Sequence, residues 1–482
     1  MMKLLKLICF FLVTLSVTAQ EQDRFYATMA IQDALELKKD LPNEIEILET
    51  KRNEAAVYMS PTAGHELHDR ILVHGPGYIF KATRDQALQS IGRDVKPVSN
   101  NRMAFSITED AVVNETLGVI NTQNIENHIL QLENYGTRYH NRPSATQAAN
   151  DLKTKWETMA AAYGRTDVSV RLFNHVNTNM PSVIMTIEGA DTPDEFVIVG
   201  GHLDSTANPS NNDAPGADDD ASGIATMTEA VRSLFEVGFV PKKSIEVMAY
   251  AAEEIGLVGS AEIAQEYSIN NIEVVSVVQF DMTNYNGSAN DVSFITDHTD
   301  GSLNAFLMQL ADHYNNSGPH QISYGTSICN YGCSDHASWT NEGFMASFPF
   351  EASFGQHNPN IHTSNDTYSL TGTADHATKF AKLCVEYLVE TAKSSVVLTV
   401  DEPTLNSIFV TVENGTLFYD LSGADHNFTG IELFDMQGRR ALVDSISDKK
   451  GLVSLQELSA GVYVVSFSSE RNTKYSKKIV LK

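Results

Sequence analysis

The sequence is poor in cysteine, in positive charge and in long apolar runs, and each shortage excludes a class of protein. Four cysteines among 482 residues are too few for a disulfide scaffold. A thiolate zinc site needs about four soft ligands. Because Cys9 lies in the leader described below, the remaining cysteines cannot build such a site alone. With 34 Lys and Arg against 61 Asp and Glu, the net charge is −27. A chain this acidic repels phosphate backbones, so nucleic acid is not an expected partner.

The one long apolar run lies at the start of the chain. Lysines precede the run from Leu7 to Leu15, and the small residues Thr18 and Ala19 come shortly after it. This order is typical of a secretory signal peptide, whereas a transmembrane helix needs roughly 20 apolar residues. We predict a signal peptide over residues 1–19, no transmembrane segment, and export of the mature protein.

The block from residue 20 to residue 110 mixes short amphipathic pieces and shows no chemical constellation. It contains His65 and His68, which are three positions apart, whereas a metalloprotease helix places its two histidines four apart. We therefore predict that this histidine pair is solvated surface. A block between a signal peptide and an enzyme is most often a propeptide, and that is the prediction for residues 20–110.

Residues 111–393 alternate between strand-like and helical patterns. The apolar run Phe196–Val199 is followed by helical spacing from Gly223 to Leu234 and by a second strand pattern from Ser244 to Ala252. Such alternation predicts an α/β fold, with a mostly parallel central sheet and helices on both faces. From residue 396 to residue 482, short alternating runs between turns predict a small C-terminal β-sandwich.

Three of the predicted strands end on side chains that can bind metal. His202 follows the first, Glu253 and Glu254 follow the second, and Asp281 follows a third strand pattern from Val274 to Phe280. Ligand sites in open α/β sheets lie at the carboxyl ends of the strands. Carboxylates that converge there would repel one another without a cation. Histidine together with carboxylates suits a divalent metal.

Residues 111–393 resemble the secreted bacterial leucyl aminopeptidases, which are co-catalytic di-zinc exopeptidases. The resemblance rests on the segments GGHLDS, APGADDDASGIA, MAYAAEEIGL, DMTNY, CSDHASW, PFE and NIHTSNDT. It implies the zinc exopeptidase fold, two Zn²⁺ per chain and a cis peptide between Asp219 and Asp220. The implied ligands are His202 and Asp281 for one zinc, Glu254 and His362 for the other, and Asp219 for both.

The implied mechanism uses a hydroxide shared by two metal ions. Glu253 is the implied general base, because it can move protons while its neighbour Glu254 ligates. One ion would receive the free α-amine of the substrate, so cleavage would be amino-terminal. Asp204, two residues after His202, is the expected acceptor for the other ring N–H of that histidine.

The resemblance also implies a disulfide and an apolar recess beside the metals. Cys329 and Cys333 fall where the family has a disulfide, which an exported protein can form. Ordinary core packing is the alternative for the recess residues, and His357 stands where the family has a tyrosine, which leaves the fine specificity open. The recess residues implied are Met282, Ile295, Phe350, Phe354 and His357.

The end of the chain resembles the C-terminal sorting domain of the type IX (Por) secretion system. The resemblance rests on Asp435–Arg439, on Leu458–Tyr463 and on the basic end Lys477–Lys482. It implies that this domain is an export address and that the secretion machinery is a partner. A carbohydrate- or protein-binding β-sandwich is the alternative.

We therefore predict a monomeric zinc aminopeptidase that is secreted, or held at the cell surface, after passage through the periplasm. Its substrates would be peptide or protein N-termini, preferably with a large apolar first residue. A zinc carboxypeptidase of the same fold would need an arginine cluster for the substrate carboxylate, and none is obvious. The full set of metal ligands argues against a glutaminyl cyclase and against a non-catalytic binding protein on the same scaffold.

Overall fold

The computed structural model describes residues 24–70, 74–92, 105–318, 321–393, 409–413, 415–422, 428–435, 439–456, 458–469 and 474–481. The predicted signal peptide, residues 1–19, lies outside the described residues. The chain divides into two units, Met1–Ser395 and Val396–Lys482. Each unit has an apolar core of its own.

The first unit begins with a small domain, which we call the N-terminal domain. Its elements are β1 (Phe25–Ala30), α1 (Ile31–Asp40), β2 (Ile45–Lys51), β3 (Glu54–Met59), α2 (Pro61–Arg70), β4 (Tyr78–Lys81) and α3 (Arg84–Ser90). The strands form an antiparallel sheet in the order β2-β3-β1-β4, which is the split β-α-β arrangement. Alternate residues such as Val57 and Met59 pack with Leu37 of α1.

A larger α/β domain follows within the same unit. Its strands are β5 (Val168–Phe173), β6 (Ser182–Ile187), β7 (Thr192–His202), β8 (Lys243–Tyr250), β9 (Glu273–Gln279), β10 (Val292–Ile295), β11 (Tyr324–Ser327), β12 (Ala346–Ser347) and β13 (Pro349–Phe350). Its α-helices are α4 (Asp110–Leu117), α5 (Thr122–Glu133), α6 (Pro143–Ala162), α7 (Ala221–Glu236), α8 (Val258–Ile269), α9 (Gly301–Tyr314), α10 (His336–Asn341) and α11 (Asp375–Ala392). Short 3-10 helices span Glu253–Ile255 and Tyr368–Leu370.

The central sheet has the strand order β12-β9-β7-β8-β6-β5. The strands β12, β9, β7 and β8 run parallel, and β6 and β5 add antiparallel pairs at one edge. The predicted mostly parallel α/β sheet is therefore confirmed. A smaller sheet has the order β11-β10-β13.

Helices cover both faces of the central sheet. Val197 and Val199 of β7 join one core with residues of α7 and α11, whereas Ile198 joins another with residues of α8 and α10. A strand covered on both faces needs a continuous apolar run rather than an alternating one, which explains the run Phe196–Val199. No helix within the described ranges combines the length and the apolar character needed to cross a membrane.

The second unit consists of β-strands in two antiparallel sheets. The strands are β14 (Phe409–Glu413), β15 (Thr416–Asp420), β16 (Phe428–Asp435), β17 (Arg440–Ser445), β18 (Lys450–Ser454), β19 (Gly461–Ser469) and β20 (Lys474–Leu481). The sheet orders are β14-β15-β18 and β17-β16-β19-β20. Leu417 and Val453 from one sheet share a core with Ile431 and Val465 from the other. This arrangement is the β-sandwich expected from the alternating pattern.

Candidate metal centre

The centre lies at one edge of the central sheet, where three parallel strands end. β7 ends at His202, β9 ends two residues before Asp281, and β8 leads into the 3-10 helix that holds Glu253 and Glu254. Because β7 runs parallel to both β8 and β9, these three ends meet at the same edge. The fold thus provides the convergence that a ligand site in an open α/β sheet requires.

Two glycines allow the main chains to approach closely at this edge. A Cβ added at Gly200 would lie 2.4 Å from the ring of Tyr250. A Cβ added at Gly201 would lie 2.7 Å both from Oδ2 of Asp220 and from the main-chain oxygen of Phe280. Any larger residue would push β7 away from its neighbours, so these glycines are a packing requirement of the centre.

Asp219 lies in the middle of the cluster and contacts residues on both sides. Its Oδ1 is 2.9 Å from Nε2 of His202, and its Oδ2 is 3.0 Å from Nε2 of His362. Nε2 of His202 is also 3.5 Å from Oδ1 of Asp281, and Nε2 of His362 is 3.3 Å from Oε2 of Glu254. The structure thus brings the predicted ligands together as two groups that share Asp219.

The backbone around the centre adopts conformations that are uncommon for non-glycine residues. Ala252, Met282 and His362 have φ values of 57°, 53° and 55°. Left-handed conformations of this kind cost about 1–3 kcal/mol each, and they persist only where the surrounding structure enforces them. Each belongs to a predicted site residue or to its neighbour in sequence. A cis peptide joins Asp219 to Asp220, as the resemblance implies.

The buried polar atoms of the centre lack the hydrogen bonds that such atoms normally make. Among the described residues, no hydrogen-bond partner is found for either carboxylate oxygen of Glu253 or of Glu254, or for Nε2 of His362. Burial raises the pKa values of Glu253 and Glu254 well above their ordinary range. Burial also acts to raise the pKa of Asp219, but the close approach of His202 and His362 outweighs it and leaves this pKa well below its ordinary value.

This donor set fits a divalent cation. A positive ion would satisfy the unpartnered oxygens and would remove the repulsion between neighbouring carboxylates. Imidazole nitrogens and carboxylate oxygens are ligands that zinc takes in proteins. The residues present therefore fit zinc, with one group of donors on each side of Asp219.

Asp204 lies next to the second ring nitrogen of His202, as expected from the sequence. Nδ1 of His202 is 3.1 Å from the main-chain oxygen of Asp204 and 3.6 Å from its carboxylate. That carboxylate also accepts hydrogen bonds from the main-chain N–H groups of Glu253 and Glu254, at 3.0 and 3.2 Å. Asp204 therefore contacts His202 mainly through its main chain, and its side chain positions the two glutamates.

The predicted recess residues form one apolar cluster beside the metal centre. We call it the pocket cluster; it includes Met282, Ile295, Phe350, Phe354, Cys329 and Cys333. A disulfide joins the two cysteines, as the resemblance implies. The ring of His357 lies 5.6 Å from that of Phe350 and 5.9 Å from that of Phe354. A cavity of about 430 Å³ lies between His357 and His362.

Two histidines of the N-terminal domain reach the metal centre, which the sequence pattern did not predict. His74 is fully buried, with Nε2 3.0 Å from Oδ2 of Asp281. Nε2 of His68 lies 2.8 Å from Nδ1 of His362. The prediction of solvated surface is therefore wrong for His68, although His65 is exposed. The one available signal was the presence of three histidines within ten residues.

A buried arginine was also missed. Arg138 is fully buried and donates hydrogen bonds to the main-chain oxygens of Leu203, Pro215 and Gly216, at 2.8, 2.7 and 2.8 Å. These oxygens belong to the segment that follows β7 and to the segment that precedes α7. Arg138 therefore holds together the two segments next to the predicted ligands. It belongs to no motif that would have marked it.

Two family patterns and several curated proteins are similar to this chain. The pattern of Peptidase family M28 matches residues 182–388, and that of a secretion system C-terminal sorting domain matches residues 406–482. A probable leucine aminopeptidase of Arthroderma benhamiae is 34% identical over 335 residues, which cover 68% of this chain and 88% of that protein. A probable aminopeptidase of Saccharomyces cerevisiae is 30% identical over 292 residues, which cover 59% of this chain and 76% of that protein.

Solved structures show the same relationship. The LapA aminopeptidase of Legionella pneumophila is 32% identical, with a TM-score of 0.68, and the match covers 78% of this chain and 100% of LapA. LapB of Legionella pneumophila is 27% identical, with a TM-score of 0.67, and the match covers 77% of this chain and 100% of LapB. Both matches cover more than three quarters of this chain.

Proposed function

Because the chain belongs to peptidase family M28 and is a zinc-dependent metalloaminopeptidase, we propose that it uses two zinc ions to remove N-terminal, preferably large apolar, residues. The observation that carries this proposal is the pair of donor groups that share Asp219. His202 and Asp281 are assigned to one ion, Glu254 and His362 to the other, and Asp219 to both.

Glu253 is the proposed general base. Two zinc ions would polarise the scissile carbonyl and acidify a water molecule. The carboxylate of Glu253 is fully buried, and neither of its oxygens makes a hydrogen bond within the described ranges. Its main chain is fixed by the bond from its N–H to Asp204. Glu253 is therefore held in place yet free to accept a proton from the attacking water and to pass it to the leaving amine.

The pocket cluster is the proposed recess for the first side chain of the substrate. It lies beside the metal centre, because Met282 directly follows Asp281 and both Met282 and Phe350 belong to the cluster. Apolar walls favour large apolar residues, since burial contributes about 25 cal/mol per Å². His357 adds a polar edge to these walls, so the recess should still accept some polar first residues.

The N-terminal domain is the proposed inhibitory propeptide. Its His74 lies between the metal centre and the pocket cluster, with Nε2 3.0 Å from Asp281 and its ring 6.1 Å from that of Phe350. A substrate N-terminus needs the same space, so this domain should be cut off before the enzyme works. The predicted signal peptide and the matched sorting domain support export through type IX secretion, to the cell surface or to the medium.

A panel of chromogenic aminoacyl amides tests the activity on chain that has been cut between the N-terminal domain and α4. Leucyl, phenylalanyl and methionyl amides should be cleaved faster than alanyl and glutamyl amides. A chelator should abolish cleavage, and zinc should restore it. N-acetyl-leucyl amide is the matched control, because it lacks only the free α-amine; its cleavage would contradict amino-terminal action.

A further inference from the structure

We propose that His74 is a metal ligand in the uncut chain, where it completes the coordination of the ion held by His202, Asp219 and Asp281. The N-terminal domain would then inhibit by binding the metal as well as by covering the pocket. This inference rests on the proposed function, because it takes those three residues as ligands. It assigns to the N-terminal domain a ligand that the sequence pattern did not predict.

The first argument is the position of His74. One donor atom from each of His74, His202, Asp219 and Asp281 lies within 4.8 Å of all the others, and all four residues are buried. These atoms therefore converge on one small space. His74 comes from a different domain than the other three, so local chain geometry does not explain the convergence.

The second argument is that the ring of His74 has no hydrogen-bond partner among the described residues. The side chain is fully buried, with Nε2 3.0 Å from Oδ2 of Asp281, and neither ring nitrogen makes a hydrogen bond within the part of the chain that the structure describes. A buried polar group without a hydrogen bond costs about 1–3 kcal/mol. A bound cation would provide a partner for this ring and for Oδ1 of Asp281, which also makes no hydrogen bond to a described residue.

The third argument is that the main chain around His74 is held in place. The hydroxyl of Tyr331 accepts a hydrogen bond from the N–H of His74 at 3.2 Å and donates one to its carbonyl oxygen. The next residue, Gly75, has φ 71°, and a Cβ there would lie 2.6 Å from the main-chain oxygen of Cys333. The loop closed by the Cys329–Cys333 disulfide therefore fixes the position of this segment, and the imidazole of His74 points toward the centre.

The coordination number explains how such a ligand would inhibit. Catalytic zinc keeps three protein ligands and one open position, whereas structural zinc has four protein ligands and no open position. His202, Asp219 and Asp281 would leave a position open, and His74 would fill it. The uncut chain would then hold this ion in a closed site that has no room for a reacting water.

His68 has a different role toward the second ion. Its Nε2 contacts Nδ1 of His362, while Nε2 of His362 faces Asp219 and Glu254. His68 therefore bonds to the nitrogen of His362 that points away from the ion. Hydrogen bonds of this kind orient a ligand without adding one, so His68 is a positioning residue.

The test compares wild type, His74→Gln and His65→Gln as full chains loaded with cobalt(II), whose visible absorption reports the coordination of the ion. His65 is the matched control, because it belongs to the same domain and is exposed. Before cutting, wild type and His65→Gln should share one spectrum, and His74→Gln should differ. Chelator competition should show metal binding at least about 10–100-fold weaker in uncut His74→Gln, because even an outer-shell partner has that effect.

After cutting and removal of the N-terminal domain, the three proteins should be identical in spectrum, affinity and activity. An uncut His74→Gln protein with the wild-type spectrum and metal affinity would overturn the proposal. The N-terminal domain would then inhibit only by covering the pocket. If this variant does not fold, X-ray absorption spectroscopy of the zinc-loaded wild type is the test. The uncut chain should show three imidazole ligands for two zinc ions, and the cut chain should show two. Equal numbers of imidazole ligands would overturn the proposal. A cut chain that holds fewer than two zinc ions would instead contradict the proposed function.

Discussion

Replacement of Glu253 by glutamine tests the proposed proton transfer most directly. The amide has almost the same shape as the carboxylate but does not accept a proton at the active pH. Neither side-chain oxygen of Glu253 has a hydrogen-bond partner in the part of the chain that the structure describes, so Glu253→Gln breaks no side-chain hydrogen bond there. The hydrogen bond from its N–H to Asp204 is a main-chain contact and should persist. Folding and zinc content should therefore stay as in wild type.

The expected loss is in kcat. Proton transfer by a positioned side chain contributes about 10²–10⁴-fold, which corresponds to about 2.7–5.4 kcal/mol of activation free energy. KM should change little, because Glu253 is not assigned to substrate binding. The measurement is steady-state cleavage of a leucyl amide by the cut chain, with zinc content determined on the same preparation.

Glu254→Gln is the matched comparison, because it makes the same chemical change at the neighbouring position. Oε2 of Glu254 lies 3.3 Å from Nε2 of His362, so this variant should lose zinc as well as activity. Excess zinc should partly restore Glu254→Gln and should not restore Glu253→Gln. Equal zinc loss in both variants, or a Glu253→Gln enzyme that keeps more than a tenth of wild-type kcat, would refute the division of roles.

Three further outcomes are expected. Arg138→Gln should lower the free energy of unfolding by about 3 kcal/mol or more, because it leaves several buried carbonyl groups unpaired. Denaturant unfolding followed by tryptophan fluorescence measures this change, and an unchanged unfolding midpoint would contradict the prediction. Phe354→Ala should lower kcat/KM for leucyl amide about tenfold more than for alanyl amide, whereas equal losses would indicate a packing role only. Deletion of residues 396–482 should leave zinc content and specific activity unchanged, because the two units have separate cores, and it should abolish export. Reduced specific activity would show that catalysis depends on the second unit.

The features that the sequence determined by itself are those with a local pattern. Continuous apolar runs such as Phe196–Val199 mark strands covered on both faces, and acidic residues or histidine directly after such strands mark the ligand edge. Parallel strands bring their carboxyl ends together whatever the loops do. The sheet and the grouping of His202, Glu254 and Asp281 could therefore be predicted without coordinates.

The family resemblance implied Asp219 and His362, but tertiary structure alone decided that side chains of the N-terminal domain join that edge. His68 is three positions from His65 in the same helix, yet one contacts His362 and the other is exposed. Spacing within a helix predicts which residues share a face, but it does not predict what that face packs against. Likewise, the contact of His74 with Asp281 exists only because the N-terminal domain docks on the sheet edge and Tyr331 holds the connecting segment there. Packing between segments that are distant in sequence leaves no periodic trace in the chain, and for that physical reason only the three-dimensional structure shows it.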